Sequence, residues 1–301
     1  MRKAIAKNGD KVAENHASQK KYEKDEMMLK TEMKRRRIKS GDAMLAVSEI
    51  GQGQQLIFLN GLGATQGIWK KVMRRLSGQY QLVTFDFRGH GRSTVANDNS
   101  LESFFADAEA VIGAVGKGRP ILVGHSLGAD LAVWYTAAHP GAVAGTFLID
   151  GALPVKFIDD ADELKRQFNN PVWRIIFALT GILKFVGILY RFSPDDFATI
   201  AIQLDARHQQ GLGVYEKLDC PIELVLATKS AGKRGEKAQK MNASWRAGAE
   251  QLASKYPSFS IHWLDSTHLL PLTKPAELAE ALDDFVRRVK ADDQFRAHNT
   301  L

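Results

Sequence analysis

The pentapeptide Gly124-His125-Ser126-Leu127-Gly128 places a serine between two glycines, directly after an apolar run and at the start of a predicted helix. A G-x-S-x-G pattern between a strand and a helix is typical of a sharp turn that presents a nucleophilic hydroxyl. Small residues are needed there because the serine occupies a strained, positive-φ corner, and the helix packs closely against the neighbouring strands. We therefore predict that Ser126 is a nucleophile. The alternative is an ordinary turn in which its hydroxyl caps the helix.

The chain around this motif alternates between short apolar runs and helical patterns. Strands are predicted at residues 36–38, 43–49, 56–59, 81–85, 121–123, 143–149, 221–227 and 258–264, and helices at residues 100–115, 127–138, 239–255 and 275–290. Apolar strands that alternate with helices favour a parallel sheet covered on both faces. No strand is predicted from about residue 151 to residue 219, so this segment reads as a mostly helical insertion.

Three further segments occur in the order found in the α/β-hydrolase superfamily, which residues 33–290 resemble. Residues 56–63 (LIFLNGLG) resemble the family's third strand and oxyanion loop, residues 85–93 (FDFRGHGRS) resemble its D-x-R-G-x-G-x-S loop, and residues 265–275 (DSTHLLPLTKP) resemble the segment that carries its histidine. The resemblance implies an α/β-hydrolase fold: a mostly parallel sheet with helices on both faces and a helical cap inserted after the sixth strand.

The resemblance assigns the general base to His268, on a loop after a predicted strand. An imidazole beside a serine accepts its proton during attack and returns it to the leaving group. The other histidines considered are weaker candidates. His125 lies within the turn itself, His139 lies at a helix end and His262 lies on a strand. The remaining rivals are His90 and His208.

The acid that would orient His268 is less well defined. The family usually carries it in a turn after the strand that follows the cap, but here no acid occurs there until Glu236. A known alternative in the family places the acid after the strand before the cap, where this chain has Asp150. We therefore favour Asp150 over Glu236 or no acid, and Asp265 is a weaker candidate because it lies at its own strand end.

Two backbone amides are expected to form the oxyanion hole, those of Leu62 and Leu127. Backbone donors need no particular side chain, so the glycine-permitted shape of the loop is what matters. Asn60 replaces a histidine that is frequent in the family, and we expect its side chain to brace the loop by hydrogen bonding.

The excess of positive charge lies entirely in the N-terminal part of the chain. Residues 1–40 hold 13 basic and 6 acidic side chains and so carry the whole formal charge of +7. We expect residues 1–32 to form a basic, flexible arm, residues 33–151 and 219–292 to form the core, and residues 152–218 to form the cap. A specific nucleic-acid domain would spread basic residues over its folded face, which this chain does not. The arm could still contact an anionic membrane surface weakly.

Neither a metal-ligand motif nor a phosphate- or dinucleotide-binding motif is present, so we expect no metal and no cofactor. The single cysteine, Cys220, cannot form an internal disulfide and suits a cytoplasmic location. We expect no transmembrane segment, because three charges interrupt the most apolar stretch, residues 172–192. The oligomeric state stays open.

Aromatic and aliphatic residues of the insertion are expected to form the cap interior and part of an apolar substrate pocket: Phe157, Phe168, Trp173, Ile176, Phe177, Leu179, Phe185, Leu189, Tyr190 and Phe192. Together with the resemblance, they predict a serine hydrolase of a carboxylic ester, thioester or lactone of a hydrophobic small molecule. One alternative is a C–C bond hydrolase or cofactor-free perhydrolase that uses the same triad. Another is a non-catalytic ligand-binding protein, which the missing acid at the usual position favours.

Overall fold

The computed structural model describes residues 32–172, 175, 191 and 193–299. Nearly all of the predicted arm, residues 1–31, lies outside the described residues. So do several of the predicted cap residues: Trp173, Ile176, Phe177, Leu179, Phe185, Leu189, Tyr190 and Phe192.

The described residues form one eight-stranded sheet with the order β1-β2-β4-β3-β5-β6-β7-β8. The strands are β1 (Lys34–Ser40), β2 (Ala43–Ile50), β3 (Gln55–Leu59), β4 (Gln81–Phe85), β5 (Ile121–His125), β6 (Gly145–Ile149), β7 (Ile222–Ala227) and β8 (Ser260–Leu264). The pairs β1–β2 and β2–β4 are antiparallel, and every other neighbouring pair is parallel. The mostly parallel sheet predicted from the sequence is confirmed.

Helices cover both faces of this sheet. They are α1 (Lys70–Leu76), α2 (Leu101–Val115), α3 (Leu127–Ala138), α4 (Ala161–Asn169), α5 (Pro194–His208), α6 (Glu236–Lys255), α7 (Leu270–Thr273) and α8 (Pro275–Asn299). Successive strand residues point to opposite faces. Accordingly, Ile57 and Leu59 pack in one core with α2 and α3, whereas Leu56 and Phe58 pack in another with α1 and α8.

The segment between β6 and β7 interrupts this alternation, as predicted. Its described part contains α4, α5 and a 3-10 helix, Leu212–Lys217. The two helices pack together through Phe168 and Phe197, whose ring centroids lie 5.2 Å apart. Ser193 begins α5 with a capping box, because its hydroxyl accepts from the Asp196 amide while the Asp196 carboxylate accepts from the Ser193 amide.

The parallel strands β3, β5, β6, β7 and β8 are neighbours in the sheet, so their carboxyl ends lie along one edge. Hydrogen bonds between the strands continue past those ends: the Ser126 amide donates to Ile149 O at 2.9 Å, and the Asp150 amide donates to Val225 O at 3.0 Å. Ligands of open α/β sheets bind outside the carboxyl ends of the strands. This edge is therefore where a functional site is expected. Among the described residues, no helix is both long enough and apolar enough to cross a membrane.

Candidate active site

Ser126 occupies a strained turn between β5 and α3. Its φ of 53° and ψ of −125° fall in a region that non-glycine residues rarely adopt. The flanking glycines are required by contact: a Cβ atom at Gly124 would lie 2.3 Å from Gly128 O, and one at Gly128 would lie 2.2 Å from Leu59 O. The Ser126 side chain makes no capping hydrogen bond to α3, which removes the argument for the simple capping turn.

His268 follows β8, and Asp150 follows β6 with a φ of 45°. The two side chains meet, with Nδ1 of His268 2.7 Å from Oδ2 of Asp150. Because an ionised carboxylate only accepts, Nδ1 is the donor. In a neutral His268 ring the lone pair is therefore left on Nε2. Asp150 is fully buried, whereas 37% of the His268 side chain is exposed, so the acid is sheltered while the base can reach the cavity.

Three more donors hold the Asp150 carboxylate. Oδ1 accepts from the Ala227 amide at 2.9 Å and from Trp245 Nε1 at 3.1 Å, and Oδ2 accepts from the Ser230 hydroxyl at 2.6 Å. Burial alone would raise the pKa of Asp150, but the hydrogen bond and charge of His268, with the Ser230 and Ala227 hydrogen bonds, hold this pKa below its ordinary value. The carboxylate therefore stays ionised beside His268.

Ser230 and Trp245 were not identified as functional residues from the sequence. Ser230 lies in the loop after β7, the region where the family's usual acid was sought and not found, and its hydroxyl is also 3.3 Å from His268 Nδ1. The empty acid position was the one signal that pointed to this loop. Trp245 lies within α6 and carries no such signal.

The other candidate acids have different partners. Glu236 begins α6 and forms an exposed ion pair with Lys240 at 2.9 Å. Asp265 is exposed and pairs with Lys229. Neither carboxylate is in hydrogen-bond contact with His268, whose ring nitrogen Nδ1 lies against Asp150.

His125, inside the turn, has a supporting contact. Its Nε2 lies 2.8 Å from the carbonyl oxygen of His268, so Nε2 donates and tethers the His268 loop. Burial, with the neighbouring His268 ring, lowers the pKa of His125 to about 3. The ring is therefore neutral at physiological pH and keeps this donor.

Side-chain hydrogen bonds of Asn60 and His90 hold the loop after β3 in place. The Asn60 amide donates to Phe85 O at 2.6 Å and its oxygen accepts from Trp69 Nε1 at 2.6 Å. The predicted bracing by Asn60 is thus observed. His90 adds a second brace, since its Nε2 accepts from the Gly63 amide at 2.9 Å. Burial lowers the pKa of His90 to about 4, which keeps that nitrogen unprotonated as an acceptor.

The amides of Leu62 and Leu127 donate to no backbone acceptor among the described residues. For Leu127 this follows from its place as the first residue of α3, where an amide has no partner within the helix. Both residues line one cavity together with Ser126 and His268. The two amides are therefore available to a ligand at this site.

This cavity has a volume of about 360 Å³. Its walls are mainly apolar and come from the core, from the insertion and from α6; they include Leu62, Leu127, Phe157, Phe197, Ala201, Leu204, Met241 and Trp245. Its polar members are Ser126, Asp130, Asp150, His208, Ser230 and His268. Of the predicted cap aromatics that the structure describes, Phe157 lines the cavity, whereas Phe168 packs against Phe197.

Cys220 is half-buried, and burial raises the pKa of its thiol to about 11, so it is a poor nucleophile at neutral pH. Within the described part of the chain, no group of three or more histidine, cysteine or acidic side chains is placed to hold a metal ion.

Comparison with known proteins identifies a protein family that matches most of the chain, together with several relatives. A family model described as the alpha/beta hydrolase family matches residues 56–281. A 2-(acetamidomethylene)succinate hydrolase of Mesorhizobium japonicum is 34% identical over 116 residues, which cover 38% of this chain and 42% of that protein. A 3-oxoadipate enol-lactonase 1 of Acinetobacter baylyi is 33% identical over 79 residues, which cover 26% of this chain and 30% of that protein. The chain thus spans less than half the length of these curated relatives.

Among solved structures, a thermophilic esterase from Thermogutta terrifontis superposes with a TM-score of 0.65. The superposition covers 85% of this chain and 99% of that one, at 18% sequence identity. At this identity the likeness concerns the fold.

Proposed function

Because the chain belongs to the alpha/beta hydrolase family, we propose that it is a serine hydrolase that cleaves a carboxylic ester, thioester or lactone of a hydrophobic small molecule. The observation that carries the proposal is the 2.7 Å contact between His268 Nδ1 and Asp150 Oδ2, in the cavity that Ser126 lines. An imidazole held by a carboxylate in this way can activate a serine once its Nε2 comes into hydrogen-bond contact with the hydroxyl.

In the proposed reaction, Ser126 Oγ attacks the carbonyl carbon of the substrate while His268 Nε2 accepts the hydroxyl proton. The ionised Asp150 stabilises the imidazolium that forms. The imidazolium then protonates the leaving group as its bond to the carbonyl carbon breaks, which leaves an acyl group on Ser126. Water, deprotonated by His268, attacks this acyl group and releases the acid and the free serine.

Charge that develops on the carbonyl oxygen is taken up by the Leu62 and Leu127 amides. Preorganised donors need no reorganisation during a reaction, and loss of one oxyanion-hole donor costs about 10²- to 10³-fold in rate. The hydrogen bonds of Asn60 and His90 support this role because they fix the backbone on either side of Leu62.

The apolar walls support a hydrophobic substrate, since such a cavity desolvates alkyl or aryl groups at little cost. The 2-(acetamidomethylene)succinate hydrolase and the 3-oxoadipate enol-lactonase are named for different substrates, so these relatives do not distinguish an ester from a lactone here. The main argument for a non-catalytic binding protein was an absent acid, and Asp150 supplies that carboxylate.

A fluorophosphonate probe tests the proposal directly. We expect folded wild-type protein to be labelled stoichiometrically at Ser126, because the probe reacts only with a serine that a neighbouring base activates. Peptide mass spectrometry would locate the label, and p-nitrophenyl esters of graded acyl length would then define the acyl preference. Folded protein that is neither labelled nor active on any ester of the panel would favour the binding protein instead.

We also propose that residues 1–32 are dispensable for catalysis, with residues 33–151 and 219–292 as the catalytic core and 152–218 as a cap. Among the described residues, the hydrogen bonds that hold the site and its loops join residues from Asn60 onward. Deletion of residues 1–32 should therefore change kcat/KM on a p-nitrophenyl ester by less than about twofold, since substitutions away from a site have small effects. A large loss of activity in the folded truncated protein would show that the arm contributes to the site.

A further inference from the structure

A second buried pair of polar side chains lies in the same cavity. Asp130 is on α3, one helical turn after Ser126, and its amide is 3.4 Å from Ser126 O. His208 is the last residue of α5, in the insertion. His208 Nε2 lies 2.6 Å from Asp130 Oδ1, and the two residues are only 8% and 3% exposed.

The pair is asymmetric in its hydrogen bonding. Asp130 Oδ1 is occupied by His208, but Oδ2 accepts no hydrogen bond from any residue that the structure describes. The surrounding cavity walls offer carbon atoms of Phe157, Phe197 and Leu204. Asp130 Oδ2 is not among the fully buried side-chain atoms that lack a hydrogen-bond partner, and Asp130 lines the cavity. A ligand in the cavity that carries a donor could therefore bind this oxygen.

His208 orients this carboxylate through the 2.6 Å hydrogen bond. Burial would lower the pKa of His208, but the charge and hydrogen bond of Asp130, with the charge of Asp205, raise it. A donating His208 occupies Oδ1 and leaves Oδ2 without a hydrogen-bond donor among the described residues.

We propose that Asp130, positioned by His208, is a specificity-determining residue that accepts a hydrogen bond from a substrate hydroxyl. The inference rests on the proposed function and deepens it: the substrates would be esters with a hydroxyl group close to the scissile carbonyl. Asp130 follows Ser126 by four residues, and both residues line the same cavity. Once Ser126 has reached the carbonyl carbon, Asp130 can therefore reach a hydroxyl two or three carbons away, on the acyl or the alcohol side.

The competing explanation is that the pair only ties the insertion to α3. A tie of this kind would affect all substrates alike, whereas a hydrogen-bond acceptor distinguishes a hydroxyl from its methyl ether, which has the same oxygen but no donor. The ratio of two rates on matched substrates therefore separates the two roles.

The test uses two substrate pairs: methyl 3-hydroxybutanoate against methyl 3-methoxybutanoate, and 2-hydroxyethyl butanoate against 2-methoxyethyl butanoate. For wild-type protein we expect kcat/KM to favour the hydroxyl compound of at least one pair by roughly 10- to 100-fold, the range that one buried hydrogen bond supports. In Asp130→Leu this ratio should fall to near one, and in His208→Gln it should fall partway. His139→Gln is the matched control, because His139 forms a comparable contact with Glu109 at 2.9 Å on the surface, and its ratio should equal that of wild type.

A wild-type ratio near one for both pairs would overturn the proposal, as would an Asp130→Leu protein that loses activity but keeps the wild-type ratio. Should Asp130→Leu fail to fold, Asp130→Asn retains the shape and the wild-type ratios still decide. Calorimetric binding of the same four compounds to Ser126→Ala measures the preference without turnover. If the wild type hydrolyses no ester but the protein binds the hydroxyl compounds selectively, the proposed function is refuted. The role of Asp130 as an acceptor for a ligand hydroxyl is then retained.

Discussion

Replacing Ser126 by alanine is expected to lower kcat on p-nitrophenyl esters by at least about 10⁴-fold, because loss of a nucleophile that acts together with a base removes nearly all chemical catalysis. The fold should survive, since the Ser126 side chain makes no capping hydrogen bond and the alanine keeps the same Cβ in the same turn. Initial rates with an active-site titration of the wild type would measure the effect.

Ser254→Ala is the matched control for this experiment. Ser254 is an exposed serine on α6, so the same chemical change there should leave both kcat and the melting temperature as in the wild type. If Ser126→Ala kept wild-type turnover while circular dichroism showed it folded, the nucleophile would be another group and the proposed mechanism would be wrong.

Replacing Asp150 by asparagine is expected to lower kcat by roughly 10⁴-fold with little change in KM, as the loss of the orienting carboxylate does in a serine triad. An asparagine could present its NH2 group to His268, which would favour the ring tautomer with its proton on Nε2, where the base must accept. The hydrogen-bond donors of Ala227, Ser230 and Trp245 would also lose a charged acceptor. A lower melting temperature should therefore accompany the kinetic loss.

Two isosteric variants control for the choice of acid. Glu236→Gln and Asp265→Asn should both retain wild-type kcat, because these exposed carboxylates pair with Lys240 and Lys229. A loss of activity in Glu236→Gln together with an active Asp150→Asn would reverse the assignment.

Ser230→Asp combined with Asp150→Asn offers a gain-of-function control. Ser230 Oγ already lies 3.3 Å from His268 Nδ1, so a carboxylate there should restore part of the lost activity.

The local parts of the site were accessible from the sequence because local chemistry dictates them. The turn at Ser126 requires glycine at residues 124 and 128, because a Cβ atom at either position would lie only 2.3 or 2.2 Å from a backbone oxygen. This requirement produces a short sequence pattern that can be recognised. Asp150 was proposed from the alternative acid position in the family it resembles, because the usual position holds no acid, and its Oδ2 lies 2.7 Å from His268 Nδ1. Ser126 follows β5 and Asp150 follows β6, which are neighbouring parallel strands, so the sheet order brings these two residues to one edge.

The contacts between distant helices were not accessible in this way. Trp245 reaches Asp150 from α6, and His208 reaches Asp130 from α5, at 95 and 78 residues' separation. No local pattern records how far a helix lies from the sheet edge, so nothing in the sequence pairs Asp130 with His208. Strand β1 was predicted too short, as residues 36–38, whereas it runs from Lys34 to Ser40. Its sequence is mostly charged and so lacks the apolar pattern by which the other strands were predicted.

That basic strand has a consequence for how copies of the molecule meet. β1 lies at the end of the sheet and is paired only with β2 among the described strands, so its outer backbone groups could template another chain. Its exposed side chains are Lys34, Arg35, Arg36, Arg37 and Lys39. Two molecules brought edge to edge here would oppose these like charges across a strand spacing of about 5 Å. The charges thereby oppose pairing of two molecules through this edge of the sheet.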